Sequence, residues 1–122
     1  METNVQYKEQ LQYAEVYISD MLVLKSIFLQ AQNTVKVNAE FGLPFLLAKK
    51  KDKVAAFASL VINEKGEIVF KIYDKADFQN SEKKSFISQV ESYFKKKNTP
   101  NFRNPEQLKN SIQRMIGWLN QS

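Results

Sequence analysis

The 122-residue sequence contains neither cysteine nor histidine. Without cysteine there can be no disulfide bond, no thiol nucleophile and no thiolate metal ligand, and a cytoplasmic location is permitted. Without histidine the chain lacks the commonest general base, the Ser-His and Cys-His pairings and the usual ligand of zinc. We therefore expect a non-enzymatic protein with no catalytic residue, no metal site and no cofactor.

Glycine and long apolar runs are also scarce. The three glycines, Gly42, Gly66 and Gly117, fit no GxGxxG or P-loop pattern, which excludes a glycine-rich phosphate-binding loop. The longest apolar run near the N-terminus, Met21–Leu24, is far too short to span a bilayer, and no signal-peptide pattern surrounds it. We expect one domain over residues 1–122, located in the cytoplasm and making no membrane contact.

Positive charge is the feature that is abundant. The net charge is +5, and it is uneven, since residues 1–48 carry three basic and five acidic side chains while the remainder carries 15 and 8. Lysine outnumbers arginine 16 to 2. Because arginine is the preferred reader of base edges, this ratio argues against sequence-specific recognition of nucleic acid.

The first third of the chain has helical periodicity. Apolar residues recur every three or four positions from Leu11 to Ala31, which predicts one helix, or two helices joined by a kink with Ser19 or Asp20 as a cap.

Four strands are predicted after this helix. Short turns join successive strands, with Gly66 suited to a positive φ in the last turn, so the sheet should be an antiparallel meander. The third strand is apolar on both faces and should lie centrally. The predicted strands are Val35–Phe41, Phe45–Lys49, Val54–Ile62 and Glu67–Tyr73.

Two helices close the chain. Ser81 is the expected N-cap of the first. Asn104 should cap the second, with Pro105 at its first position and Gln107 placed to complete a capping box. The order α-β-β-β-β-α-α predicts an α+β domain with an antiparallel sheet of about four strands, an N-terminal helix and two C-terminal helices packed mainly on one sheet face.

The stretch PFLLAKKKDKVAAFASLVINEKGEIVFKIYD, Pro44–Asp74, resembles the central strands of GNAT-type acetyltransferases through its hydrophobic pattern, over about a quarter of the chain. In that family a Q/R-x-x-G-x-G/A loop binds acyl-CoA before the next helix, whereas this sequence continues KADFQNSEKKSF without glycine. The resemblance implies a degenerate acetyltransferase-like domain that holds a ligand without turnover.

Lysines are dense between the second and third strands. The predicted topology brings this turn to the sheet end where the helix after the fourth strand begins, so its lysines should share a patch with others there. A second run, Lys95–Lys97, should lie at the opposite end of that helix. The candidate binding residues of the patch are Lys49, Lys50, Lys51, Lys53, Lys75, Lys83 and Lys84.

Three hypotheses for function follow. The first is a small adaptor domain that contacts a protein, itself or another, with Phe102, Arg103 and Trp118 as candidate contacts. The second is weak, sequence-independent binding of an acidic polymer such as nucleic acid. Because aromatic residues are not interleaved with the lysines, a solvated turn is the favoured interpretation of the run, and protein is the favoured partner. The third is the acetyltransferase-like domain.

Overall fold

The computed structural model describes residues 11–121. Four strands form one antiparallel sheet in the order β1-β2-β3-β4, so the predicted α+β class and four-stranded meander are confirmed. The elements are β1 (Leu11–Glu15), α1 (Met21–Gln32), β2 (Leu43–Lys50), β3 (Lys53–Ile62), β4 (Ile68–Asp74), α2 (Asn80–Lys96), α3 (Pro100–Arg103) and α4 (Pro105–Asn120), with 3₁₀ turns at Ile18–Asp20 and Ala39–Phe41.

Tight turns fix the register of the three longer strands. Lys50 lies opposite Lys53, and the two residues between them, Lys51 and Asp52, have φ angles of 51° and 64°. Positive φ at both central positions is what a type I′ hairpin turn requires. The β3–β4 turn has its positive φ at Gly66, at 79°, as predicted.

The first strand is not the one that the sequence predicts. Leu11–Glu15 was expected in a helix but forms the edge strand β1, and the helix begins only at Met21. The Val16 N–H still donates to the Phe45 carbonyl at 3.3 Å, so pairing with β2 continues past the strand. Because apolar side chains of β1 contact the core on both sheet faces, its residues do not alternate cleanly in polarity.

The segment Val35–Phe41, predicted as a strand, is a loop that ends in a 3₁₀ turn. Val35 is 87% exposed, whereas Val37 and Phe41 are buried. The Asn120 side chain supplies the pairing that a neighbouring strand would give: its Oδ1 accepts from the Val37 N–H and its Nδ2 donates to the Val37 carbonyl, both at 3.0 Å.

Helices cover both faces of the sheet, so the expectation that they pack mainly on one face is wrong. One buried cluster joins Phe86 and Val90 of α2 to the small side chains of β3, such as Ala58. The other joins Phe28 of α1 to Phe57 on the opposite side of β3. β3 is therefore central and buried on both sides, as its sequence predicts.

Helix α4 contributes to both clusters. Leu108 and Ile112 pack in the first cluster and Leu119 in the second, so the helix closes the two halves of the core together. The Lys25 side chain of α1 donates to the Leu119 carbonyl at 2.6 Å.

The caps differ in how well they were predicted. Asn104 caps α4 as expected, since its Oδ1 accepts from the Glu106 and Gln107 N–H groups at 3.0 and 3.1 Å. The predicted capping box is incomplete, because the Asn104 N–H donates to the Pro100 carbonyl at 2.7 Å and not to the Gln107 side chain. The N-cap of α2 is Gln79, two residues before the predicted Ser81.

Within residues 11–121, none of the helices combines the length and the apolar content needed to cross a membrane.

Candidate anion-binding cleft

The β2–β3 turn and the segment that leads into α2 form the two walls of an open cleft of about 780 Å³. We call it the lysine cleft. Its floor is the start of β3, at Val54 and Ala55. The residues that line it are Lys50, Lys51, Lys53, Val54, Ala55, Lys75, Asp77, Gln79, Ser81 and Glu82.

One ion pair holds the two walls together. Lys50 Nζ lies 3.1 Å from Glu82 Oε1, and each side chain is only 17% exposed. The same Glu82 oxygen accepts from the Gln79 N–H at 2.9 Å. Glu82 therefore caps the first turn of α2 and attaches it to the hairpin, which gives the cleft a defined width.

A β-bulge shapes the floor. Ala48 pairs with Ala56 and Lys49 with Val54, so Ala55 is an extra residue on β3. A bulge bends its strand and re-aims the side chains beside it. The Ala55 carbonyl accepts from the Lys75 N–H at 2.9 Å, which fixes Lys75 beside the floor after the end of β4.

The lysines of the cleft differ in their surroundings. Lys50 is paired with Glu82, but neither Lys53 nor Lys75 has a carboxylate within 4.0 Å in the described part of the chain. Both side chains can therefore turn toward an anion without first breaking an ion pair. Asp77 is the second acidic side chain of the lining, beside Glu82.

Four of the seven predicted patch lysines line the cleft: Lys50, Lys51, Lys53 and Lys75. The remaining three lie outside it. Lys49 is half-buried in β2, Lys84 is exposed on α2, and Lys83 lies 3.7 Å from the Asp74 carboxylate.

The second lysine run lies at the other end of α2, where Lys97 Nζ is 3.6 Å from Glu15 Oε2. Glu15 ends β1, whereas Leu11, at the start of that strand, is opposite Lys50. The two lysine runs are therefore well separated.

Sequence reasoning missed the polar wall of the cleft. Ser81 was predicted only as a helix cap, and nothing in the order of Asp77, Gln79, Ser81 and Glu82 shows that they face the hairpin. The spacing of Gln79 and Glu82 fits a capping box and could have located the start of α2. No signal in the sequence marks the bulge at Ala55.

A smaller hollow of about 290 Å³ lies near the far end of α2. There the Tyr93 hydroxyl donates to Glu15 Oε2, and Lys97 Nζ lies 5.1 Å from the centre of the Tyr93 ring. The bond from Tyr93, followed by the charge of Lys97, lowers the pKa of Glu15. Burial and Glu15 raise the pKa of Tyr93 well above its usual value, so this phenol stays neutral and is a poor candidate for a base.

The candidate protein contacts lie in α3 and α4. Phe102 is half-buried with its ring 5.1 Å from that of Phe45, and the Arg103 side chain donates to the Lys95 carbonyl at 3.2 Å. Trp118 is 44% exposed. A different apolar group is more exposed: Tyr17, Ile18 and Leu22, around the start of α1, are 66%, 69% and 59% exposed.

Across the described range, 11–121, no group of three or more acidic side chains is placed to hold a metal ion. Comparison of the chain with models of known protein families, with curated proteins and with solved structures found no match. The chemistry of the lysine cleft is therefore the main guide to function.

Proposed function

We propose that this chain is a small, non-enzymatic binding domain that holds an anionic ligand in the lysine cleft. The observation that carries the proposal is the convergence of lysines from the β2–β3 turn and from the end of β4 on one recess of about 780 Å³. The sequence contains no cysteine, which permits a reducing compartment, and we propose a cytoplasmic location.

Electrostatics supports this role. A cation and an anion 4 Å apart attract each other by about 4 kcal/mol at an effective dielectric constant of about 20, as near a protein surface. Two lysines without a carboxylate partner in the described chain, Lys53 and Lys75, can each contribute part of that attraction. Because the cleft is open, salt should weaken the binding.

A pair of double variants tests the proposal at equal net charge. Lys53→Gln with Lys75→Gln removes two lysines of the cleft, whereas Lys36→Gln with Lys109→Gln removes two exposed lysines elsewhere. Titration calorimetry with pyrophosphate at low salt should show at least about tenfold weaker binding for the cleft variant only. An equal loss in both variants would mean that net charge, and not the cleft, attracts the anion.

Protein contact is the second candidate, and the exposed apolar group around the start of α1 favours it. Tyr17, Ile18 and Leu22 are each more than half exposed, and Ile18 and Leu22 lie one helical turn apart. If the group mediates self-association, Ile18→Ser with Leu22→Ser should shift the mass measured by light scattering from oligomer to monomer. A monomer before and after the substitutions would exclude self-association through this surface.

The acetyltransferase-like alternative stays a prediction that rests on the pattern of Pro44–Asp74. That stretch forms β2, β3 and β4, and β4 leads toward the cleft wall. Titration calorimetry with coenzyme A thioesters tests this alternative, and the absence of a binding heat at millimolar ligand would exclude it.

A further inference from the structure

We infer that the lysine cleft takes a compact sugar phosphate, nucleotides included, and not a phosphate polymer. The inference rests on the proposed function, because it names the class of anion that the cleft would hold. Three properties of the site lead to it: lysines and hydrogen-bond acceptors in the same lining, the size of the cleft, and the small number of available lysines that surround it in the described part of the chain.

The lining offers two kinds of chemistry. Lys53 of the hairpin and Lys75 after β4 supply ammonium groups, which are suited to a phosphate. Asp77, Gln79 and Ser81 line the same cleft, and their oxygen atoms accept hydrogen bonds from hydroxyl groups, whereas the Asp77 carboxylate repels phosphate. A ligand with a phosphate at one end and hydroxyl groups at the other uses both kinds of group, whereas inorganic phosphate uses mainly the lysines.

The size of the cleft agrees with such a ligand. Its volume of about 780 Å³ lies in the range of about 300–1,000 Å³ that is usual for small-molecule sites. A sugar phosphate or a nucleotide therefore fits within this volume, and the open cleft admits it.

A polymer needs a track of cations, and few lysines of the described chain extend the cleft. Lys83 is paired with Asp74 at 3.7 Å and Lys49 is half-buried in β2, which leaves Lys84 among the predicted patch lysines outside the cleft. Lys97 lies at the far end of α2, paired with Glu15. Proteins that bind nucleic acid through phosphates commonly make about 6–10 such contacts, more than the four lysines of the cleft.

Calorimetry with four probes tests the inference on the whole chain: ribose 5-phosphate, inorganic phosphate, ribose, and a single-stranded oligothymidylate of about 15 nucleotides. Ribose 5-phosphate should bind about tenfold more tightly than phosphate, because one or two added hydrogen bonds to a charged group have about that effect. Amide NMR signals of Ala55, Lys75 and Ser81 should shift with ribose 5-phosphate. Ribose alone should bind too weakly to detect.

Asp77→Asn separates recognition of the sugar from attraction of the phosphate. This variant should lose the roughly tenfold preference for ribose 5-phosphate and bind inorganic phosphate at least as tightly, because a repelling charge is gone. Glu64→Gln, which removes an exposed carboxylate at the β3–β4 turn, should change neither affinity.

The outcomes separate this inference from the proposed function. If the oligothymidylate binds and ribose 5-phosphate does not, the ligand class is wrong while anion binding stands. Equal affinity for phosphate and ribose 5-phosphate, unchanged by Asp77→Asn, also overturns the ligand class alone. If none of the anions binds, both proposals fail.

Discussion

The three glycines should respond to alanine substitution in three different ways. Gly42 has φ 68° and ψ −151°, a region that is essentially restricted to glycine and costs other residues about 1–3 kcal/mol. A Cβ on Gly42 would lie 2.2 Å from the carbonyl oxygen of Leu60 and 2.7 Å from Val61 Cγ1. Leu60 is fully buried in β3 and cannot move aside alone. Strain and overlap together should lower the free energy of unfolding by about 3–5 kcal/mol.

The other two glycines are matched controls. Gly66 also has a positive φ, 79°, but a Cβ there meets no atom within 4 Å, so alanine should cost only the backbone strain of about 1–2 kcal/mol. Gly117 lies within α4 with open space around it, and alanine should stabilise the protein by about 1 kcal/mol.

Urea denaturation followed by far-ultraviolet circular dichroism measures all three differences. The order of stability should be Gly117→Ala, unsubstituted protein, Gly66→Ala, Gly42→Ala. A loss for Gly42→Ala no larger than that for Gly66→Ala would refute the argument, because it would mean that β3 does not approach Gly42 closely. Given the usual total stability of about 5–15 kcal/mol, Gly42→Ala should also reduce the yield of folded protein.

Three further predictions concern single side chains. Ser59 is fully buried and its hydroxyl has no hydrogen-bond partner in the described chain, so Ser59→Ala should raise the free energy of unfolding in urea by about 1 kcal/mol, and a decrease would reveal a hidden partner. Asn104→Ala should lower it by about 1 kcal/mol and Asn104→Asp by much less, whereas equal losses would argue against the cap. Because Tyr93 and Lys97 lower the pKa of Glu15, that carboxylate stabilises the fold above its unfolded pKa, and the effect is lost as the pH falls through the lowered value. Thermal midpoints of Glu15→Gln and the unsubstituted protein should therefore differ at neutral pH and converge in acid once Glu15 is protonated in both the folded and the unfolded state, and a constant difference would contradict this linkage.

The elements that were predicted correctly are those in which local chemistry and tertiary packing agree. Gly66 fits its turn, and the strand Val54–Ile62 is apolar on both faces because helices cover both sides of the sheet. The prediction of a helix at Leu11–Glu15 was wrong because the apolar side chains of β1 lie on both sheet faces. Their positions in the sequence also continue the three- and four-residue spacing of the apolar residues of α1. The prediction of a strand at Val35–Phe41 was wrong because the backbone of Val37 is hydrogen-bonded to the side chain of Asn120 and not to a neighbouring strand. No local pattern reveals that contact.

The lysines of the cleft were predicted from the sequence, but the wall opposite the hairpin was not. Consecutive turns were enough to place the β2–β3 lysines and Lys75 at one end of the sheet, and four predicted lysines do line the cleft. The opposite wall depends on where α2 begins and on the extra residue at Ala55. The spacing of Gln79 and Glu82 could have located the start of α2, but the ion pair that brings Glu82 to Lys50 joins residues 32 positions apart and has no local signal.

The hydrogen bonds at the end of α4 also constrain the order of folding. Lys25 bonds to Leu119 across 94 positions, and Val37 bonds to Asn120 across 83. During synthesis, α1 and the loop after it leave the ribosome long before their partners are made. The contacts of α1 and this loop with the end of α4 therefore form only after α4 is complete, and closure of so long a loop should be a late step on the folding pathway.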